Sequence, residues 1–207
     1  DTKRSVERTS LAKDLGADGV LVVAPYYNKP SQRGCVAHFE KIADVGSPVI
    51  LYHHPGRTGI FLQPETFKIL EEHPFIVGIK EASGSLETFK KIKQASRLPI
   101  LSGDDPLTLS MMKMGAEGCI SVMANLFPLQ WKKMIDYCLE KEFSKAEDLQ
   151  NSYEELMQAV LTETNPIGVK YALSLMNKCS SAMRLPLLEP EEKTKRSLEK
   201  LLKTHEI

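Results

Sequence analysis

Three side chains stand at or just beyond the ends of apolar runs, and together they could do carbonyl chemistry. Lys80 ends the run in "PFIVGIKEASG" (74–84), Tyr52 is next to last in "PVILYH" (48–53), and Arg57 follows in "HHPGRTG". A lysine held among apolar groups loses ammonium hydration, so its pKa falls and the neutral amine becomes a nucleophile. A tyrosine hydroxyl both donates and accepts a proton, and the arginine fork grips a carboxylate through two hydrogen bonds. Strand alternation predicts Ile76, Gly78 and Lys80 on one side and Val77 and Ile79 on the other, with Gly78 leaving room beneath the lysine and Glu81 pointing away. Each residue also has a plainer reading: Lys80 reaches solvent from a strand end, and Arg57 is a solvated loop charge. As a set they match what Schiff-base chemistry on a 2-oxo acid needs. The amine condenses with the ketone, the phenol moves protons, and the arginine holds a carboxylate.

Other polar residues are weaker candidates. In "PYYNKPS", Tyr26 and Tyr27 point opposite ways in an extended segment, so at most one faces a shared pocket; aromatic packing before a turn is the simpler account. His53 and His54 diverge and lack a third partner at metal-ligand spacing, which makes both structural and leaves no metal site. In "SGDDP", a helix cap explains Asp104, while the Gly103 backbone could approach a ligand. The small residues of "GCISVMAN" (118–125) would let main-chain groups face a pocket.

The elements that position these residues follow from the apolar pattern. Runs at 19–25, 48–53, 75–80, 99–103 and 118–122 are rich in Val, Ile and Leu without polar alternation, which predicts parallel strands covered on both faces. Helices are predicted between them at 3–15, 32–45, 64–72, 85–95 and 105–114, with Ser31, Ser85 and Asp104 as caps and Pro64 in a first turn. Beyond about residue 125 the pattern is all helix, at 126–141, 143–161, 166–178 and 189–204. The domain organisation expected is therefore 1–125, strands and helices, and 126–207, a helical region. Alternating strands and helices mean a parallel sheet with right-handed crossovers, either an open doubly wound sheet or a (β/α)8 barrel. Neither G-x-G-x-x-G nor G-x-x-x-x-G-K-[ST] occurs. Five runs fall about three short of a barrel's eight strands, so pattern leaves the two architectures open.

Composition narrows the function classes. With 207 residues, 42% of them hydrophobic, the chain can bury a core. Its 27 basic and 27 acidic residues balance without a basic cluster, which argues against nucleic acid or an anionic membrane as the main partner. No apolar run approaches the roughly 20 residues that span a bilayer, and the opening residues are charged where a signal peptide would be apolar. Four dispersed cysteines without a C-x-x-C pair suit a reducing cytoplasm.

Six blocks, "APYYNKPS", "ILYHHPGRTG", "VGIKEASG", "LSGDD", "GCISVMAN" and "NPIGVKYAL", fall in the order and near-spacing of the dihydrodipicolinate synthase / N-acetylneuraminate lyase family, which this chain resembles along essentially its whole length. The resemblance implies a (β/α)8 TIM barrel with a C-terminal helical extension. It also implies a covalent pyruvate Schiff base on Lys80, with no separate cofactor. Tyr52 matches the family's proton-transferring tyrosine. Tyr27 matches a tyrosine that completes a proton relay in a neighbouring subunit. Arg57 matches an arginine at the pocket mouth that binds the second substrate, and Ile120 a position whose main chain contacts pyruvate. The P-x-R-T-G form resembles the synthase branch, implying condensation of pyruvate with L-aspartate 4-semialdehyde in lysine and diaminopimelate biosynthesis. A homo-oligomer follows, as a dimer of dimers.

Departures qualify the resemblance. It implies that this chain begins at the third barrel helix, without three strands, a threonine pair and a glycine-rich turn, so that the piece as given would expose core surface and be inactive alone. His53 and His54 stand where an asparagine and an apolar residue are usual. Arg4 stands where lysine-inhibited members carry a glutamate, which implies weak or absent lysine feedback, although Tyr26 matches another residue of that site. Two rival readings remain: a sialic acid lyase or related 2-oxo acid aldolase, which would keep Lys80 and Tyr52 without needing Arg57, and a non-catalytic barrel remnant.

Overall fold

The structure is a computed structural model describing residues 1–205. Its chain divides into two compact units, Asp1–Ile120 and Ser121–Ile207. In the first, the five apolar runs form the strands β1 (Val20–Val23), β2 (Val49–His53), β3 (Ile76–Glu81), β4 (Ile100–Ser102) and β5 (Gly118–Cys119). All neighbours pair in parallel, in the spatial order of the sequence. The helices α1 (Thr2–Asp14), α2 (Gln32–Ala43), α3 (Pro55–Thr58), α4 (Pro64–Leu70), α5 (Leu86–Ala95) and α6 (Thr108–Lys113) precede or connect them. Two of the expected caps form: Ser31 accepts the Gly34 N–H and Ser85 the Thr88 N–H, each satisfying a first-turn donor that the helix itself cannot. Asp104 stands before a 3-10 turn (Asp105–Leu107), where its side chain makes no capping bond and its carbonyl accepts the Leu107 N–H instead. The capping role expected for its carboxylate is therefore corrected.

The two faces of the sheet differ. Val49, Leu51 and His53 of β2 pair with Ile76, Ile79 and Glu81 of β3, and all are buried. On this closed face Phe67 of α4 meets the His53 ring edge-on. The other face carries Leu21, Ile50, Tyr52, Lys80 and Leu101, all at least partly exposed. Strands covered on both faces were expected, yet Leu21 is 44% and Val77 41% exposed. Leu21 lies on β1, an edge of the sheet, and Val77 on the central strand β3 is the residue that the β2–β3 register skips.

Simple alternation also fails at one point. The register skips between Val49/Ile50 on β2 and Ile76/Gly78 on β3, leaving Val77 unpaired. Such a bulge reverses the facing of everything before it. Ile76 therefore joins the closed face, opposite Gly78 and Lys80, rather than sharing their side.

The second unit is helical: α7 (Pro128–Leu139), α8 (Phe143–Ser152), α9 (Glu154–Leu161), α10 (Ile167–Leu175) and α11 (Glu192–Thr204). Trp131, Met134, Leu156, Met157, Val160, Leu198 and Leu202 are buried in it. One continuous helix was expected over 143–161. The chain instead breaks at Tyr153, whose ring packs against Phe127 at 4.7 Å and edge-on to Trp131 at 5.8 Å. Among the described residues, no helix is long and apolar enough to cross a membrane.

Candidate active site

Register brings the chemistry-bearing residues of the first unit together. Tyr52 is the direct partner of Lys80, and Lys80 of Leu101, so side chains from adjacent strands share the open face near the strand ends. The Lys80 Nζ lies 4.2 Å from the centroid of the Tyr52 ring. Space for the lysine stem comes from Gly103 rather than from Gly78. A Cβ on Gly103 would lie 2.7 Å from Lys80 Cε, whereas one on Gly78 would meet the Pro99 carbonyl oxygen at 3.3 Å. The Gly103 N–H donates to the Glu81 carbonyl at 2.7 Å, which fixes β4 at that close approach.

Behind this face, the residue after the lysine is clamped. Glu81 is fully buried and, as expected, points away from Lys80. Its Oε2 lies 2.7 Å from His53 Nδ1, and its Oε1 accepts the Ser83 N–H at 2.7 Å. The Leu62 N–H points at His53 Nε2 at 3.3 Å. A backbone N–H can only donate, so Nε2 is the bare nitrogen and Nδ1–H donates to the carboxylate. His53 is therefore structural. Ser102, the next residue along the register, bonds Thr108 Oγ1 at 2.9 Å and the Asp104 carbonyl at 3.1 Å, tying the end of β4 to α6.

Burial governs the protonation states. It lowers the Lys80 pKa; the Asp105 charge opposes that shift, and Arg57 adds to it. The same burial raises the Tyr52 phenol, against the pull of Arg57. The pair is thus biased toward an amine able to attack a carbonyl and a phenol that keeps its proton until a base takes it. The Asp104 carboxyl is raised too, by burial first and then by the Asp105 and Glu81 charges. Among the described residues no group of three His, Cys, Asp or Glu side chains is placed to hold a metal ion.

The remaining candidates sit at different distances from this pair. Arg57 lies in the last turn of the short helix α3, ended by Gly59 in the left-handed conformation, rather than in a loop. Its field reaches Tyr52, Lys80 and His54. The Ile120 N–H donates to the Ser102 carbonyl at 2.8 Å, which extends the ladder one residue past β5 and commits that amide. Tyr27 stands apart: it is 92% exposed with φ 72°, and makes no ring contact or side-chain hydrogen bond among the described residues. His54 was underrated in the sequence, where it read as structural. Its ring lies 5.7 Å from that of Tyr52, and its position two residues along the strand direction was the available signal.

The profile of the dihydrodipicolinate synthetase family matches residues 1–205. The chain belongs to this family. Among its curated members, the 4-hydroxy-tetrahydrodipicolinate synthase of Methanocaldococcus jannaschii is 42% identical over 204 residues, covering 98% of this chain and 71% of that protein. The synthase of Geotalea uraniireducens is 44% identical over 207 residues, 99% of this chain and 71% of its own length. Among solved family structures, the Acinetobacter baumannii dihydrodipicolinate synthase, complexed with pyruvate, superposes with a TM-score of 0.96 at 40% identity. The match covers 100% of this chain and 72% of that one. The Aquifex aeolicus enzyme has a TM-score of 0.96 at 38% identity, with the same coverage.

Proposed function

We infer that this chain is a 4-hydroxy-tetrahydrodipicolinate synthase, condensing pyruvate with L-aspartate 4-semialdehyde through a Schiff base on Lys80. The observation that carries the reading is the half-buried Lys80 amine over the Tyr52 ring at 4.2 Å, with its pKa lowered by burial. Family membership and the identity to curated synthases support it. Neutral Lys80 attacks the pyruvate ketone carbon. Water leaves as the iminium forms, and loss of a methyl proton gives an enamine whose carbon adds to the aldehyde. The semialdehyde's amine then attacks the regenerated iminium carbon, closing the ring and releasing Lys80. Tyr52, kept protonated by burial, supplies and recovers protons in these steps. The chemistry needs no cofactor beyond this covalent bond.

Arg57 binds the carboxylate of the semialdehyde. Ile120 and Gly103 line the pyruvate side with main chain. The five strands form an arc of a (β/α)8 barrel whose inner face is the open face of this sheet. Tyr27, displayed in a left-handed conformation that non-glycine residues adopt at a cost, is held for a neighbouring copy. A dimer is then the minimal active unit and a dimer of dimers the natural assembly, in the cytoplasm. Arg4, in the first turn of α1, sets a positive charge against a lysine effector and weakens feedback.

Turnover separates this reading from its sibling. The protein is expected to consume pyruvate with aspartate 4-semialdehyde and to leave N-acetylneuraminate intact. Cleavage of N-acetylneuraminate, with no condensation, would replace the synthase by a lyase. Arg57→Ala should raise KM for the semialdehyde far more than that for pyruvate.

A further inference from the structure

His54 follows Tyr52 by two residues, which places both on the open side of the chain as β2 ends. Its ring is half-buried and tilted by 59° against the Tyr52 ring, at 5.7 Å. The two ring nitrogens have different surroundings. Nδ1 is buried without a hydrogen bond and is turned toward the first residues of α3, where a Cβ on Gly56 would lie 3.6 Å from it. That nitrogen is closed to any ligand. Nε2 is not buried in this way, which leaves it as the nitrogen able to meet a ligand beside Tyr52.

The titratable groups facing this imidazole come from three elements: Arg57 on α3, Lys80 and Glu81 on β3, and His53 at the end of β2. Burial and the two cations outweigh Glu81 and keep His54 neutral. His54 stands immediately before α3, and its carbonyl accepts the Arg57 N–H at 3.0 Å. His54 therefore belongs to the Arg57 side of the site rather than the lysine side. A neutral imidazole with one nitrogen closed offers a single polar point, suited to one oxygen of a small polar substrate.

We propose that His54 is a specificity-determining residue for the second substrate, its Nε2 hydrogen-bonding an oxygen of the aldehyde-bearing carboxylic acid that Arg57 grips. The proposal rests on the synthase reading of the site above. It makes His54 part of what distinguishes the electrophile, while pyruvate capture by Lys80 proceeds without it. Losing one such hydrogen bond to a charged or strongly polar group corresponds to about a tenfold loss in binding.

The test uses the native full-length protein and two variants. Borohydride trapping of pyruvate on Lys80 is measured first, then KM for each substrate. H54V is expected to trap pyruvate at the wild-type rate and to show a KM for aspartate 4-semialdehyde raised about tenfold. H54Q, which carries a nitrogen near the Nε2 position, should recover most of that loss, and recovery would not follow if the ring served packing alone. If H54V fails to fold, the wild-type imidazole resonances of His54, assigned by their absence in H54Q, decide. They should move on adding succinic semialdehyde to the pyruvate-loaded protein, and not on adding pyruvate alone. An unchanged semialdehyde KM in H54V, or resonances that respond only to pyruvate, would overturn the proposal while leaving the synthase reading intact. Failure of the wild type to trap pyruvate would remove both.

Discussion

Replacing Gly103 by alanine probes the lysine site without replacing a reacting group. The backbone of Gly103 lies outside the left-handed region, so alanine adopts it without strain, and the substitution tests space alone. The added Cβ would lie 2.7 Å from Lys80 Cε, 2.9 Å from Ala82 Cβ and 3.0 Å from Lys80 Cγ. Carbon atoms rest at about 3.5–4.0 Å, so the lysine stem must move by about 1 Å. Ala82 has no rotamer with which to yield, and the Gly103 N–H is committed to the Glu81 carbonyl, so the lysine takes most of the shift. Overpacking of this kind costs about 1–3 kcal/mol of stability, and a 1 Å displacement of a reacting group costs about 10²-fold in rate. Pyruvate trapping by borohydride, followed by mass, gives the rate, and urea denaturation gives the stability. Gly78→Ala is the control, because its Cβ meets the Pro99 carbonyl at 3.3 Å and does not touch Lys80. The expected order is a large loss of trapping for Gly103→Ala and less than about tenfold for Gly78→Ala. Equal rates in Gly103→Ala and wild type would refute the claim that Gly103 makes the room in which the amine works.

Other expectations concern the phenol, the buried pair and pH. Tyr52→Phe keeps the ring under the amine and should still trap pyruvate, while condensation falls by about 10²–10⁴-fold, as steady-state kinetics would show. Glu81→Leu strands the His53 Nδ1–H and the Ser83 N–H and should cost about 3 kcal/mol in urea denaturation. The trapping rate should rise with pH and level off through an apparent pKa below the ordinary lysine value of 10.5, since burial lowers this amine. Between the lowered value and 10.5 the folded protein holds fewer protons at Lys80 than the unfolded chain, so this group's contribution to stability rises with pH across that window.

How much of this was legible in the sequence follows from which interactions are local. The five strands and their parallel character came from apolar runs, and the Ser31 and Ser85 caps from single residues before helices. The juxtaposition of Tyr52 and Lys80 was legible only as two strand ends, because the register that pairs them is set across strands. The bulge at Val77 was hidden for the same reason: nothing in "FIVGIK" marks one residue as unpaired, yet it moved Ile76 to the other face. The helix α3 is one turn long, begins at a proline and contains a glycine, so its sequence reads as a loop. Asp104 had the right type and position for a cap and failed because a 3-10 turn follows it. The clamp of Glu81 by His53 joins residues 28 positions apart, and only the fold could reveal it.

The central claim is that Lys80 is the amine that captures pyruvate. The most direct measurement is borohydride reduction of the protein with pyruvate, followed by peptide mapping of all its lysines. A single reduced pyruvate adduct on the peptide carrying Lys80, absent without pyruvate and absent in Lys80→Arg, is the predicted result. No adduct, or an adduct on another lysine that persists in Lys80→Arg, would contradict it.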